Sequence, residues 1–335
     1  MDGYYVEATH VTRTPPSDCL HTINLLRQRM KYDVMGRDDV IELVLVALLA
    51  DGHVLLEDFP GSGKTTLAKA LGNSLSAGSS DKVAAFRRMQ FTPDLLPSDI
   101  TGVMIFDVDS NSFHFRPGPI FSNIALVDEI NRTSPKVQSA LLEAMAEKQV
   151  TVDNTTYKLA ELFFVIATQN PIDAVGTYPL PIAQLDRFMF KIRMVHIARD
   201  AELQVINSWG KPRASCPLEQ VSVHDIIQAR QYIRENIKIT DSIMECLVDI
   251  IRNIRDDKRC LQGASTRSLV QAVPALQSYA YLRGRDFVSP QDIQDLAIPL
   301  FLHRLAIVPG AGDGSDIVQK AIADPLERLV KSTLR

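Results

Sequence analysis

The stretch LLEDFPGSGKTT, Leu55 to Thr66, constrains this chain more than any other. Compared with the phosphate-binding pattern G-x-x-x-x-G-K-[ST], it supplies Gly63, Lys64 and Thr65, but Asp58 stands at the first glycine. Such a loop holds phosphate because consecutive backbone N–H groups point into a concavity at the positive end of the following helix. Glycine is needed only where the backbone takes positive φ or closely approaches an oxygen. Gly61 and Gly63, beside Pro60, form the turn itself, whereas Asp58 falls at the strand end before it, so the cradle survives the change. HVLLE upstream reads as a buried strand, and TTLAKALGNSL downstream carries apolar residues at helical spacing. Strand, glycine turn and helix commit this region to an α/β layer with a triphosphate site.

The rest of the chain agrees. HVLLE, AAFRRMQ, NIALVDE, LFFVIATQN and FMFKIRM read as strands, with TTLAKALGNSL and SPKVQSALLEAMAEK as helices among them, which predicts a mainly parallel sheet. Residues 1–37 form a lead-in, with a helix over HTINLLRQRMKYDV, and residues 38–200 the α/β core. From about Ala201 the strands stop, and residues 201–335 read as a smaller all-helical domain, with Asp241 and Ser289-Pro290 as helix starts. The boundary falls in Ile192 to Pro217, which carries Gly210 and Pro212. Two segments alternate apolar and polar residues as projecting hairpins, VMIFDVDSNSFHFRPGP and QVTVDNTTYKL, turning at Asp109 to Asn111 and at Asp153-Asn154. They offer either partner contacts or cover for sheet edges.

Composition excludes several classes. The chain is 46% hydrophobic and 23% charged, which suits a soluble globular fold and not a disordered one. A net charge of −4 argues against a surface that grips nucleic acid throughout. Cys19, Cys216, Cys246 and Cys260 are scattered without paired spacing and read as reduced thiols of a cytoplasmic protein. MDGYYVEATH lacks the pattern of a signal peptide, and IELVLVALLA, the longest apolar run, is too short to span a bilayer.

Phosphoryl transfer needs metal and water ligands as well as a cradle. NIALVDE ends a strand in Asp128 and Glu129, which can converge on the crevice at the strand's carboxyl end. Asp128 is expected to hold Mg²⁺ through its water shell, with Thr65 a direct ligand, and Glu129 to polarise the attacking water. Asn170 ends LFFVIATQN, where an amide can bond both the γ-phosphate and that water. Arg132, Arg187 and Arg267 are candidates to stabilise charge on the transferring group, in the same chain or a neighbouring one.

These residues resemble the MoxR family of AAA+ ATPases, in the group with an insert in the second helix. The resemblance rests on LLEDFPGSGKTTLAKA, RMQFTPDLLPSDITG, FRPGPIFSNIALVDEINR, ALLEAMAEKQVT, ATQNP, PLPIAQLDRFMFKI and GASTRSL, and it covers nearly the whole chain from Val34. It implies ATP and Mg²⁺, with Pro60, Gly61, Ser62, Gly63, Lys64, Thr65 and Thr66 in Walker A, and Asp128 and Glu129 in Walker B. It further implies that Asn170 is sensor 1, Arg187 an arginine finger acting in trans, and Arg267 sensor 2 of a helical lid, with Arg132 near the subunit interface. Val34 and Gly36, in VMGR, match the family's adenine-contacting segment. Members often carry aspartate at the first loop position, which accounts for Asp58. Thr266 stands where the family usually has proline, and threonine is expected to cap that helix instead. The implied assembly is a hexameric ring that remodels or matures a protein partner bearing a von Willebrand factor A domain. The rival readings are a nucleic-acid motor, which should present a basic pore loop, and a nucleotide-dependent structural ring without turnover. A guanine-reading N-K-x-D motif is absent, which argues against a monomeric GTPase.

Overall fold

The computed structural model describes residues 16–57, 62–76, 83–170, 176–208, 216–312 and 314–333. The readings made for Asp58, Pro60, Gly61, Gly210 and Pro212 lie outside these residues.

The first helix, α1 (Pro16–Asp33), leads through a turn at Gly36 into α2 (Asp38–Leu49), whose first turn carries Asp38 and Asp39 at the favourable end of its dipole. The α/β layer then begins with β1 (Val54–Glu57), α3 (Lys64–Ser74), the two-residue β2 (Leu75–Ser76) and β3 (Ala84–Gln90). A short α4 (Pro97–Thr101) precedes the first hairpin, β4 (Gly102–Asp107) and β5 (Ser112–Pro117). Next come β6 (Ser122–Asp128), a 3-10 turn at Ile130–Arg132 and α5 (Pro135–Glu147). The second hairpin is β7 (Gln149–Val152) and β8 (Thr155–Lys158), and β9 (Phe164–Gln169), α6 (Ile182–Leu185) and β10 (Phe190–Arg193) complete the layer. After α7 (Arg199–Ser208) the regular elements among the described residues are helices and strands of two or three residues. These are β11 (Val221–Ser222), β12 (Cys260–Gln262) and β13 (Ala306–Ile307), set among α8 (Val223–Asn236), α9 (Asp241–Asp256), α10 (Thr266–Leu282), α11 (Pro290–Phe301), a 3-10 turn at Leu302–Arg304, and α12 (Ser315–Thr333).

The central sheet runs β10-β1-β9-β6-β3, with every pairing parallel. Parallel sheets are covered on both faces, and β6 is accordingly buried at all seven positions. Side chains alternate between the faces. Val54, Leu56, Ile124, Leu126 and Ile166 enter one apolar cluster, while Leu55, Ala125, Val127, Val165 and Ala167 enter the other. The second cluster is closed by α5 through Val137, Leu141 and Met145. The first is larger and continuous, taking in α1, α2, α3 and the helices after residue 222, with Ile250, Leu276 and Phe301 among its members. The late helices are also joined to the layer by β11, which pairs in parallel with β2.

Both hairpins stand outside the central sheet as two-stranded ribbons. Asn111 (φ +47°) and the pair Asp153 (φ +46°) and Asn154 (φ +64°) take the left-handed conformations that tight hairpin turns require. Neither hairpin pairs with an edge strand of the central sheet, and the two touch each other where Phe115 stacks on Tyr157 at 3.8 Å between ring centroids.

Candidate functional site

Strands β1, β6 and β9 are parallel, so their carboxyl ends meet at one edge, and the expected nucleotide residues gather there. Gly63 holds φ +95° and precedes Lys64, the first residue of α3; a Cβ on Gly63 would meet nothing within 4 Å. Among the described residues, the Cβ side of Gly63 therefore faces open space at a helix N-terminus, where an anion is favoured. Lys64, Thr65 and Thr66 form the first turn of that helix. Ser62 Oγ is buried with no hydrogen-bond partner among the described residues, a polar atom left for a ligand. Arg37 ties the turn before α2 to this loop, donating from Nη2 to the Ser62 carbonyl at 3.1 Å and from Nη1 to the Val195 carbonyl. Val34 and Gly36 lie in the turn that Arg37 ties to Ser62. Gly36 has φ +67°, and a Cβ there would stand 2.5 Å from Cβ of Ala201, so the turn admits only glycine.

Asp128 closes β6 and is buried, and its carboxylate accepts Arg88 Nε at 2.6 Å and the Thr168 hydroxyl at 3.4 Å. Glu129 leaves the strand in a left-handed conformation (φ +58°), held by its N–H donating to Thr168 Oγ1 at 2.9 Å. Its carboxylate accepts Gln90 Nε2 at 3.3 Å and pairs with Arg132 Nε at 3.0 Å. Arg132 thus faces Glu129 of its own chain. Asn170 follows β9, and its carbonyl accepts Asn131 Nδ2 at 3.3 Å. The half-buried Thr65 and the buried Asp128 are oxygen donors of the kind Mg²⁺ takes together with substrate phosphates, so this edge fits Mg·ATP.

Arg187 and Arg267 are not there. Arg187 precedes β10, whose first residue, Phe190, pairs with Val54 at the start of β1. It lies at the amino edge of the sheet, a strand length of roughly 13 Å from the phosphate loop. Its Nη1 donates to the Leu142 carbonyl at 3.0 Å. Arg267, exposed at the start of α10, comes to 3.9 Å of Asp186 and joins Arg187 in lining a cavity of about 350 Å³ with Gly52, His53, Lys148 and Gln271. The surroundings are locked. Asp51 (φ +58°) pairs with Lys148 and with Arg230 of α8 at 2.7 Å, and Arg230 Nε also donates to the Leu48 carbonyl at 2.8 Å. His53 accepts the Val165 N–H on Nδ1 at 3.1 Å and faces the Met145 carbonyl with Nε2 at 3.3 Å. Burial pushes its pKa down to about 4, against smaller raising effects of the Met145 carbonyl and Asp51.

One expectation is corrected. The cap of α10 is Ser265, whose hydroxyl accepts the Ser268 N–H, and Thr266 is the first helical residue. Thr266 therefore occupies the N1 place that suits proline, because the backbone N–H there needs no partner within the helix. Arg88, Gln90 and Thr168 were missed by sequence reasoning. Arg88 and Gln90 are two apart on a strand and so share a face, but only the register that sets Gln90 opposite Asp128 brings that face to the acids.

The profile of the ATPase family associated with various cellular activities (AAA) matches residues 53–190, and that of the AAA lid domain matches residues 254–321. The uncharacterized protein YeaC of Bacillus subtilis is 49% identical over 83% of this chain and 85% of its own length. Chaperone MoxR1 of Mycobacterium tuberculosis is 35% identical, over 86% of this chain and 76% of its own. A crystal structure of a presumed ATPase from Cytophaga hutchinsonii superposes with a TM-score of 0.83 at 34% identity, covering 92% of this chain and 95% of that one.

Proposed function

This chain belongs to the MoxR family of AAA+ ATPases, and from that premise we propose that it assembles as a ring, hydrolyses Mg·ATP at the seam between neighbouring copies, and uses the cycle to remodel or mature a protein partner. The observation that carries this reading is the separation of the acids from the arginines. Glu129 and Asp128 lie at the carboxyl edge of the sheet, Arg187 and Arg267 at the amino edge, so one chain does not complete its own site.

In the proposed site, N–H groups of the Gly63 to Thr66 turn and the Lys64 ammonium hold the phosphates. Thr65 and Asp128 would hold Mg²⁺, which when bound neutralises charge on the phosphate oxygens. Thr168 fixes both acids, donating its hydroxyl to Asp128 and accepting the Glu129 N–H. Glu129 takes the proton of the attacking water, and release from Gln90 or Arg132 frees an oxygen lone pair for it. Asn170 orients that water. Arg187 and Arg267 of the neighbouring copy stabilise the charge that develops on the transferring group, a contribution of about 10³-fold or more for such an arginine. Val34 and Gly36 contact the adenine.

A hexamer and a partner with a von Willebrand factor A domain follow from the family resemblance. A protein partner is also favoured by the β4–β5 hairpin, which exposes Val103, Ile105, Phe106, Val108 and Phe113 with no basic stripe among them. A nucleic-acid motor would need a cationic loop in such a place. Cysteines present as thiols fit a reducing, cytoplasmic setting, and no described helix is long and apolar enough to cross a membrane.

The test is ATP turnover against protein concentration for the wild type, Arg187→Ala, and an equimolar mixture of Arg187→Ala with Glu129→Gln. Shared sites give specific activity that rises with concentration, an inactive Arg187→Ala and an active mixture. Flat activity per chain with a normal Arg187→Ala would refute the shared site.

A further inference from the structure

Asp186 stands between α6 and Arg187 in the chain, and four side chains from beyond residue 260 converge on it. Its Oδ2 accepts the Ser265 hydroxyl at 2.8 Å, and its Oδ1 accepts the Ser268 hydroxyl at 3.1 Å. Arg304 brings Nη1 to 3.4 Å of Oδ1, and Arg267 brings Nη1 to 3.9 Å of Oδ2. Ser265 caps α10, so the carboxylate also meets the positive end of that helix. Arg304 is 1% exposed and reaches past Asp186 to the other side of Arg187. Its Nη2 donates to the Phe188 carbonyl at 2.8 Å and to Gln271 Oε1 at 2.5 Å, while His303 Nε2 lies 3.1 Å from the same Phe188 carbonyl.

Both chain neighbours of Arg187 are therefore gripped from the late helices, residue 186 by its side chain and residue 188 by its carbonyl. Stability alone is a poor reason for this arrangement. A buried ion pair contributes little more than apolar packing of the same volume would, since both charges must be stripped of water. Burial draws the Arg304 guanidinium down to about 10, with Asp186 opposing and Arg267 adding to the fall. Two cations thus share one carboxylate, the buried Arg304 on one oxygen and Arg267 on the other. The second cation thereby lines the same cavity as Arg187.

We propose that Asp186 and Arg304 are positioning residues of the hydrolytic reaction: a buried clamp that aims Arg187 and Arg267 as a pair and couples their aim to α10 and the turn after α11. The proposal rests on the reading that Arg187 serves a neighbour's nucleotide. It specifies that damage to the clamp is felt in the adjoining copy's site and not in the copy that carries the substitution.

Asp186→Asn keeps the shape of the side chain and removes its charge. Its expected effect is a kcat lower by about 10²-fold, the usual cost of a catalytic group displaced by about 1 Å, with KM and the affinity for a fluorescent ATP analogue unchanged. Mixing it with Glu129→Gln copies, which lack turnover but carry intact arginines, restores activity just as it does for Arg187→Ala. Ser268→Ala removes one hydrogen bond to Oδ1 and leaves the ion pair, so it gives a smaller, several-fold loss with the same rescue. Arg304→Lys keeps the charge but cannot span both Asp186 and Phe188, and falls between these two. Rescue of Arg187→Ala without rescue of Asp186→Asn or Ser268→Ala would overturn the clamp and leave the shared site standing. Failure of all the mixtures, Arg187→Ala included, would overturn the shared site and the clamp with it.

Discussion

At the carboxyl edge of the sheet, the acids of the site pair with side chains that are themselves half in solvent or exposed: Arg88 of β3 on Asp128, and Gln90 of β3 with Arg132 of the following 3-10 turn on Glu129. At the amino edge, the polar groups around Arg187 are bound to backbone carbonyls and to buried partners from helices distant in sequence: Arg230 on Leu48 and Asp51, Arg304 on Phe188. Partners exposed to water are exchanged at little cost, whereas a buried charge that loses its partner costs several kcal/mol. The first edge is thus suited to groups that must change partners when a ligand arrives. The second is suited to holding a direction.

The comparison predicts different consequences at the two edges, the largest in turnover. Lys64→Ala should abolish both ATP binding and hydrolysis, beyond about 10³-fold, and a mixture with Glu129→Gln should stay inactive because both lesions lie at the same edge. Recovered turnover in that mixture would break the division. Arg187→Ala should lower kcat by about 10³-fold while ATP affinity, read by fluorescence titration, stays at the wild-type value. Weakened ATP binding would place Arg187 in its own chain's site. For stability, Arg230→Ala should cost about 3 kcal/mol, because Asp51 loses its more buried cation and keeps Lys148, and the Leu48 carbonyl loses one of its donors. Arg132→Ala, whose side chain and Glu129 partner are 42% and 33% exposed, should cost less than about 1 kcal/mol, with both variants read by urea unfolding. Equal losses would remove the distinction in rigidity.

A pH series sharpens it further. His53 is neutral in the fold with its pKa near 4 against an ordinary 6.5, so between these values the unfolded chain binds a proton that the folded chain refuses. Its stabilising contribution is complete above about pH 6.5 and declines as pH falls towards 4. Stability should drop by about 2 kcal/mol between pH 7 and pH 5 from this group. The drop should shrink in His53→Gln, measured by urea unfolding at both pH values, and an unaltered drop would exclude His53 as its source.

Much of this was legible in the chain. The phosphate loop, the two acids after an apolar strand and both hairpins are local patterns, and Asn111 and Asn154 take the left-handed turns that their residue type suggested. The contacts that orient the site are of another kind. Arg88 and Asp128 are forty positions apart and meet only because β3 and β6 pair in one parallel register, with a hairpin and a short helix between them in sequence. Asp186 and Arg304 are further still, joined by the packing of a helical pair on the sheet's end. Nothing in either neighbourhood announces a partner, since register between distant strands is set by the whole layer. The helix start at Ser265 shows a smaller limit: two adjacent hydroxyl residues can each cap, and only the backbone decides between them.

The single apolar cluster that joins α1, α2 and α3 to the helices after residue 222 bears on how the molecule melts and moves. Side chains of both parts interdigitate in it, so neither part can separate without exposing the other's interior to water. Heating should give one calorimetric transition with no separate melting of the helical end. In an assembly, each copy would swing as one solid piece, and whatever motion ATP drives would be taken up at the joints between copies.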